Sequence, residues 1–115
     1  MADFNVEFET KGDVVVARTQ GYLDDVGGKL FLSKCTEYLN KGMSFFVFNF
    51  TQTPVINSTG LSNILDLIVQ IVDYNEGSVA ITGLSTLTST AMKMTGVLTL
   101  CDAYPTEEEA IESLE

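Results

Sequence analysis

The sequence predicts an α/β fold in which a mixed β-sheet of about five strands is flanked by four helices. Short β-branched or aromatic runs alternate with longer segments of helical apolar spacing, which is typical of strand–helix–strand units. Two strands joined by a short turn at the start of the chain add an antiparallel pair to an otherwise parallel sheet. The 115 residues are expected to form one domain that spans residues 1–115.

The first two strands form a predicted hairpin. Residues 3–9 alternate polar and apolar side chains, as in a strand with one buried face. A turn at residues 11–13 leads into a β-branched strand over residues 14–18. Residues 20–25 then form a predicted loop, whose acidic end favours the start of a helix.

The first helix is predicted over residues 26–41 and ends at Gly42, a C-terminal cap. Gly27 and Gly28 are expected to weaken its first turn and to loosen the adjoining surface. The side chains of its predicted apolar face are Leu30, Phe31, Cys35, Tyr38 and Leu39.

A phenylalanine-rich run over residues 45–50 predicts a strand that is buried on both faces. Residues 51–57, which include Pro54, form a predicted loop. The longest helix covers residues 58–75 and has polar and apolar side chains on opposite sides. Its predicted apolar side consists of Leu61, Ile64, Leu65, Ile68, Ile71 and Val72, while Leu67 and Tyr74 flank the polar side.

The last third of the chain is predicted to form two strand–helix pairs. Residues 79–82 form the fourth strand, and a helix that is capped by Ser85 ends at Gly96. Three apolar side chains mark the predicted buried face of that helix: Leu87, Ala91 and Met94. Residues 98–103 form the fifth strand, and a final acidic helix begins after its cap, Thr106. Its predicted apolar contacts are Ala110, Ile111 and Leu114.

Composition excludes several classes of function. Asp plus Glu number 16, Lys plus Arg number 6, and histidine is absent, so the net charge is -10. Without histidine there is no Ser-His-Asp triad and no imidazole-ligated zinc site. The acidity argues against a nucleic-acid partner, because phosphate binding needs a basic patch. With no signal core or membrane-length apolar segment, we expect a cytoplasmic protein whose Cys35 and Cys101 are buried free thiols.

The densest group of polar residues is Asn57-Ser58-Thr59-Gly60, between a buried strand and the longest helix. Simple capping of that helix by Asn57 or Ser58 is one interpretation. A nucleotide-binding loop would need a lysine that this segment lacks, and a nucleophilic serine would need a base. A regulatory phosphate on Ser58 is the remaining interpretation. The helix dipole would stabilise it, so that modification changes the surface without unfolding the protein.

Five segments in order resemble the STAS domain family and, within it, the bacterial anti-sigma factor antagonists. The hallmark is Val55-Ile56-Asn57-Ser58-Thr59-Gly60-Leu61, which is similar to the family pattern apolar-apolar-Asp-Ser-Ser/Ala/Thr-Gly-Leu. The other segments are residues 21–24, 46–50, 81–85 and 94–97. Together they span nearly the whole chain.

The resemblance implies a partner-switching protein. In that family the unmodified antagonist binds an anti-sigma factor that is also a serine kinase, and a sigma factor is released. The kinase then phosphorylates the hallmark serine, here Ser58, and a serine phosphatase resets the switch. This chain would be a binder and a substrate, with no catalytic residue, metal or cofactor of its own. The predicted partner-binding residues are Asp24, Asp25, Asn57, Ser58, Thr59, Gly60, Leu61, Asn63 and Leu67.

One departure from the family pattern is Asn57, where the family usually has Asp. If that acid assists phosphoryl transfer, phosphorylation of Ser58 is slow or absent here. The alternatives are then a non-switching STAS scaffold, an accessory subunit of a membrane transporter, or a small-ligand binding module at the same helix N-terminus. The absence of Lys and Arg from residues 51–62 disfavours a module that binds anions. The oligomeric state and the identity of the partner stay open.

Overall fold

The computed structural model describes residues 4–115, which form one five-stranded sheet with helices on both faces. The strands are β1 (Asn5–Lys11), β2 (Val14–Leu23), β3 (Phe45–Ile56), β4 (Ser78–Thr82) and β5 (Asp102–Tyr104). The helices are α1 (Asp25–Asn40), α2 (Ser58–Val69), α3 (Thr86–Thr95), α4 (Val97–Leu100) and α5 (Glu107–Ser113). A π-helical turn, Gln70–Tyr74, continues α2. The predicted α/β class is therefore confirmed, with α4 as an additional short helical turn.

The strands lie side by side in chain order, β1-β2-β3-β4-β5. The pair β1–β2 is antiparallel, whereas β2, β3, β4 and β5 run parallel to one another. Parallel neighbours need crossover connections, which α1, α2 and the α3–α4 segment supply. These helices cover one face of the sheet, and α5 covers part of the other.

The central strand β3 takes part in both hydrophobic cores. Phe46, Phe48 and Phe50 face the larger core beneath α1, α2, α3 and α4. Val47 faces the smaller core, where α5 contributes Ala110 and Ile111. The predicted strand that is buried on both faces is thus confirmed. The three predicted contacts of the last helix are confirmed too, because Ala110 and Ile111 are buried and the half-buried Leu114 packs against the same core.

Aromatic packing fixes α1 on the sheet. The ring of Phe31 in α1 lies 4.9 Å from that of Phe48, at an interplanar angle of 64°. Such an edge-to-face pair adds about 0.5–1.5 kcal/mol beyond the buried area. Phe31 and Cys35 are buried as expected, but Leu30 from the predicted apolar face is 40% exposed.

The loops predicted after the second and third strands are strands instead. β2 continues to Leu23 and β3 to Ile56, where these two residues pair. The prediction failed because this pairing is between distant segments and is interrupted by register shifts. Pro54 is tolerated because it lies beyond the last residue of β3 that pairs with β4. The N–H that proline lacks would therefore form no bond to β4.

The ends of two other predicted strands also differ. Asp3, where the first strand was predicted to begin, lies outside the described residues. The predicted fifth strand over residues 98–103 is wrong in its first half, because residues 97–100 form α4. Gly96 ends α3 in the left-handed region (φ 84°), and the hydroxyl of Thr99 donates to its carbonyl at 2.6 Å. A short apolar run does not by itself distinguish a helical turn from a strand.

The predicted buried face of α3 is wrong for Leu87 and Met94, whose side chains face solvent, whereas Ala91 is half-buried and packs against the larger core. Leu87 is 69% exposed and Met94 is 83% exposed, whereas Thr88 and Met92 are buried. Thr88 can be buried because its hydroxyl is satisfied locally: it accepts the N–H of Ser85 at 2.9 Å. The Ser85 hydroxyl accepts the N–H of Thr88 in return, at 3.2 Å.

Close packing requires glycine where α1 and α2 begin. A Cβ on Gly60 would overlap the carbonyl oxygen of Leu23. A Cβ on Gly28 would lie 2.6 Å from Nδ2 of Asn63 on α2, and one on Gly27 would lie 2.8 Å from the ring of Phe4. Gly27 and Gly28 are therefore points of tight contact and do not loosen the adjoining surface as expected.

A bidentate ion pair anchors α5 to the sheet. Glu107, the first residue of α5, accepts hydrogen bonds from Nε and Nη2 of Arg18 on β2, at 2.7 and 2.9 Å. It also accepts one from Nδ2 of Asn49 on β3, at 3.0 Å. The hydrogen bonds from Arg18 are the main reason that the pKa of Glu107 falls from 4.5 to about 2.

We expect Gly60→Ala to lower the free energy of unfolding by about 1–3 kcal/mol, because the added methyl group meets backbone that cannot move cheaply. This cost outweighs the gain in helix propensity of about 1 kcal/mol. Urea denaturation measures the change. The control Ser62→Ala, at an exposed position of the same helix, should stay within about 0.5 kcal/mol of wild type. Equal stability of wild type and Gly60→Ala would contradict the close approach.

We expect Glu107→Gln to destabilise the protein near neutral pH and not near pH 2. The folded-state pKa of Glu107 is depressed, so its stabilising effect is present above pH 5 and is lost as the pH falls toward about 2. At pH 7 the free energy of unfolding of the wild type should exceed that of the variant by about 1–3 kcal/mol. The difference should vanish near pH 2. Glu108→Gln, which removes an exposed carboxylate from the same helical turn, is the control. Superimposable pH profiles for the two variants would disprove the role of the ion pair.

Candidate functional site

The predicted site residues meet where β2 and β3 end side by side. Leu23 and Ile56 form the last pair of these strands. The next residues, Asp24 and Asn57, therefore begin α1 and α2 from neighbouring positions, and the N–H of Asn57 donates to the carbonyl of Leu23 at 3.0 Å. We call the exposed and half-exposed residues at these two helix starts the edge surface. It consists of Asp24, Asp25, Asn57, Ser58, Thr59 and Asn63.

Each of the two helices has a side-chain cap at its start. Oδ1 of Asp24 accepts the N–H of Gly27 at 2.8 Å, and Oδ1 of Asn57 accepts the N–H of Gly60 at 2.8 Å. An amide oxygen thus does for α2 what a carboxylate oxygen does for α1. Asn57 keeps the cap that an aspartate would provide, but the edge surface has one negative charge fewer.

The two hydroxyls next to Asn57 differ in their availability. Both Ser58 and Thr59 are exposed. The Thr59 hydroxyl donates to Oδ1 of Asn57 at 2.9 Å, whereas the Ser58 hydroxyl makes no hydrogen bond to another described residue. Ser58 is also the first residue of α2, where the helix dipole and free N–H groups favour an anion. Of these two hydroxyls, that of Ser58 is therefore the one left without a hydrogen bond among the described residues.

Asp25 and Asn63 connect the two helices. Nδ2 of Asn63 on α2 donates to Oδ1 of Asp25 at 3.2 Å and to its backbone carbonyl at 3.3 Å. Nζ of Lys29 lies 3.0 Å from the other carboxylate oxygen of Asp25. The hydrogen bond from Lys29, and after it that from Asn63, lowers the pKa of Asp25. The carboxylate is therefore ionised and paired, and the nearby Lys29 is already engaged.

Three predicted partner-binding residues lie beneath the edge surface. Gly60 and Leu61 are buried in the first turn of α2, and Leu67 is fully buried in the larger core. The assignment of Leu67 to a partner surface is therefore corrected, since its side chain contacts the core instead. The hydropathy pattern of α2 does not show whether a residue beside the polar side, such as Leu67, is buried. It is buried here because α1 and the sheet cover α2 on two sides. Gly60 permits the close approach of α2 to the backbone of Leu23.

Sequence reasoning missed two exposed apolar residues beside the edge surface. Val26, which follows Asp25, is 76% exposed, and Val55, two residues before Asn57, is 45% exposed. Exposed apolar side chains bordered by polar groups are typical of protein interaction surfaces. The exposure of Val26 could have been expected from the sequence, because Val26 lies in the first turn of a capped helix. The exposure of Val55 depends on the β2–β3 pairing and was not visible in the sequence.

Other reactive groups are few in the part of the chain that the structure describes. Residues 4–115 contain no cluster of three or more potential metal ligands. Within the same residues, every helix is too short or too polar to cross a membrane. Cys35 and Cys101 are buried free thiols, as predicted. Burial raises the pKa of Cys101 to about 12 and that of Cys35 as well, so neither is activated as a nucleophile.

Known structures share this fold. A candidate anti-sigma factor antagonist from Thermotoga maritima has a TM-score of 0.85 at 20% identity, covering 95% of this chain and 93% of that one. The anti-sigma factor antagonist SpoIIAA of Bacillus, in its phosphorylated form, has a TM-score of 0.76 at 20% identity, covering 96% and 100%. A sulfate transporter family protein from Wolinella succinogenes has a TM-score of 0.74 at 13% identity, covering 91% and 88%.

At these identities the structural likenesses show the fold alone, and they include proteins of two different functional contexts. The sequence comparison is more specific. The family model described as the STAS domain matches residues 5–110, which include both capped helix starts, all five strands and most of the helices. The chain therefore belongs to the STAS domain family.

Proposed function

We propose that this protein is a cytoplasmic anti-sigma factor antagonist that works by partner switching. Its unphosphorylated edge surface binds an anti-sigma factor that is also a serine kinase, and binding releases a sigma factor. The observation that carries the proposal is the exposed, uncommitted hydroxyl of Ser58 at the first residue of α2. The likeness to SpoIIAA, whose structure is known in unphosphorylated and phosphorylated forms, supports it.

The phosphoryl transfer is performed by the kinase and not by this chain. Oγ of Ser58 attacks the γ-phosphorus of ATP, the bond to ADP breaks, and the hydroxyl proton passes to a base of the kinase or to water. ATP and its metal ion belong to the kinase. A serine phosphatase later hydrolyses the phosphoester. The contribution of this chain is to hold the hydroxyl exposed, with its neighbour Thr59 bound to Asn57.

Phosphorylation would change the surface and leave the fold intact. The phosphate adds a charge of about -1.5 to -2 at a helix start, where the dipole and the free N–H groups stabilise it. The same group would be added to the edge surface, which includes Asp24 and has the exposed side chains of Val26 and Val55 beside it. A partner that covers these apolar side chains would have to strip water from the phosphate, which is unfavourable. Loss of the complex follows from this cost.

A second candidate is a STAS subunit that binds without switching, as a scaffold or as an accessory subunit of a transporter. Asn57 favours it, because no carboxylate precedes Ser58. The likeness to a sulfate transporter family protein is compatible with it. Binding of a small anionic ligand finds less support, because Lys29, the lysine beside the edge surface, is paired with Asp25.

We expect the partner kinase and ATP to place one phosphate on this protein, at Ser58. Mass spectrometry of the product should locate it, and Ser58→Ala should abolish it. Thr59→Ala, which removes the neighbouring exposed hydroxyl, is the matched control and should still be phosphorylated. Modification of Thr59 instead of Ser58 would contradict the proposal.

The partner here is the one that binds the unphosphorylated protein. We expect Ser58→Asp to raise the dissociation constant of that complex by about tenfold or more, which corresponds to a loss of about 1.4 kcal/mol of binding free energy. The thermal midpoint should change little, because a carboxylate at a helix start is favourable. Calorimetric titration and thermal unfolding measure the two effects. A large drop in thermal midpoint would identify Ser58 as a structural residue.

We expect Asn57→Asp to speed phosphorylation of Ser58 by about tenfold or more, if the missing carboxylate assists proton removal in this protein. The cap should be retained, because either oxygen accepts the N–H of Gly60. Ser62→Asp adds the same charge one turn further along α2 and serves as the control. Equal initial rates for wild type and Asn57→Asp would show that the amide does not limit the reaction.

A further inference from the structure

A crevice lies at the carboxyl ends of β4 and β5 and has a volume of about 320 Å³. Its walls are the residues that follow β4, one side chain of α3, and the end of β5. The lining residues are Gly83, Leu84, Ser89, Ala103, Tyr104 and Pro105. The proposed function does not use them, because the edge surface lies at the ends of β2 and β3.

The crevice lies where two neighbouring parallel strands send the chain to opposite faces of the sheet. After β4 the chain enters α3, which packs on the larger core, whereas after β5 it enters α5, which packs on the smaller core. Connections that separate in this way leave a gap, and ligands of open α/β sheets bind in such gaps at the carboxyl ends of the strands. At the edge surface, by contrast, β2 and β3 both lead to helices on the same face.

Both walls of the crevice are held in place by close contacts. Gly83 has a φ of 82°, and a Cβ there would overlap the backbone nitrogen of Thr51 on β3. On the other wall, Tyr104 pairs with Thr82 of β4, and Glu107 at the start of α5 is bound to side chains of β2 and β3. The crevice is therefore formed before a ligand arrives, which lowers the cost of binding.

The lining combines two hydroxyl groups with apolar surface and contains no charged side chain. Ser89 and Tyr104 are half-buried, and their hydroxyls make no hydrogen bond to another described residue. No polar side-chain atom of the described residues is both buried and unpaired, so both hydroxyls can be reached from solvent. The rings of Tyr104 and Pro105 offer apolar surface on which another ring can pack. An ionised ligand would lose water here without meeting an opposite charge, which is unfavourable.

We propose that this crevice binds a small uncharged ring compound that carries a hydrogen-bonding group, such as an aromatic amide. The ring packs on Tyr104 and Leu84, and the polar group binds the hydroxyls of Ser89 and Tyr104, each of which can donate and accept. The volume lies near the lower limit of small-molecule pockets, about 300 Å³, so the ligand is no larger than one or two rings. This inference does not depend on what the edge surface binds.

A titration with benzamide, followed by nuclear magnetic resonance, tests the proposal. The backbone amide signals of the crevice should move and saturate with a dissociation constant of about 1–10 mM, as expected for a ligand of so few atoms. The signals of Ser58 and Thr59 should stay in place. Benzoate and benzamidinium have nearly the same shape but carry a charge, and they should bind at least about tenfold more weakly at equal ionic strength.

Two variants test the assigned contacts. Ser89→Leu fills the crevice and should abolish the changes in the spectrum, whereas Thr90→Leu, at an exposed neighbouring position of α3, is the control and should bind as the wild type does. Tyr104→Phe keeps the ring and removes one hydroxyl, so it should raise the dissociation constant about two- to tenfold. Circular dichroism of each variant should match that of the wild type.

Three results would overturn the proposal. The first is the absence of movement of the crevice signals at benzamide concentrations up to about 50 mM. The second is equal binding of benzamide and its two charged analogues. The third is a dissociation constant that neither Ser89→Leu nor Tyr104→Phe changes.

Discussion

The parallel pairing of β2 with β3 continues beyond the last pairs that these strands make with β1 and β4, and the site depends on this extension. It ends at Leu23 and Ile56, which fixes the positions of the two caps that follow. Gly60 then lets α2 pack directly on the backbone of β2, and Gly28 lets α1 pack on Asn63. The edge surface is thus held by backbone contacts of the two helix starts and by the hydrogen bonds from Asn63 to Asp25. Its exposed hydroxyls stand above closely packed backbone.

A second constraint acts at the opposite face of the sheet. The smaller core beneath α5 is modest, with Ala110 and Ile111 as its buried helical side chains. The bond of Glu107 to Arg18 and Asn49 compensates by tying the start of α5 to two central strands. Because the carboxylate is bidentate and partly buried, this ion pair contributes more than an exposed one would. The concentrated acidity of the last helix therefore includes one residue with a structural role among several that are solvated.

Local patterns predicted much of this molecule. Residues close together in the sequence are enough to predict three features. These are the alternation of strands and helices, the doubly buried strand over residues 45–50, and the caps at Asn57 and Thr106. The errors arose where distant segments decide the outcome. The extension of β3 to Ile56 needs β2 beside it, and the burial of Leu67 needs α1 and the sheet. On α3, Thr88 is buried with its hydroxyl bonded to Ser85, which a count of apolar residues does not register.

The close packing beneath the edge surface also limits the positions at which related proteins can differ. Substitutions at positions 26, 55, 58, 59 and 62 change exposed atoms without disturbing the backbone beneath. Position 60 has no such freedom, because any side chain there meets the carbonyl of Leu23. Duplicated copies of this domain can thus diverge in the partners they recognise while the positions of their two helix starts stay constant. The few exposed side chains of this surface can then change one at a time while the backbone beneath them stays the same.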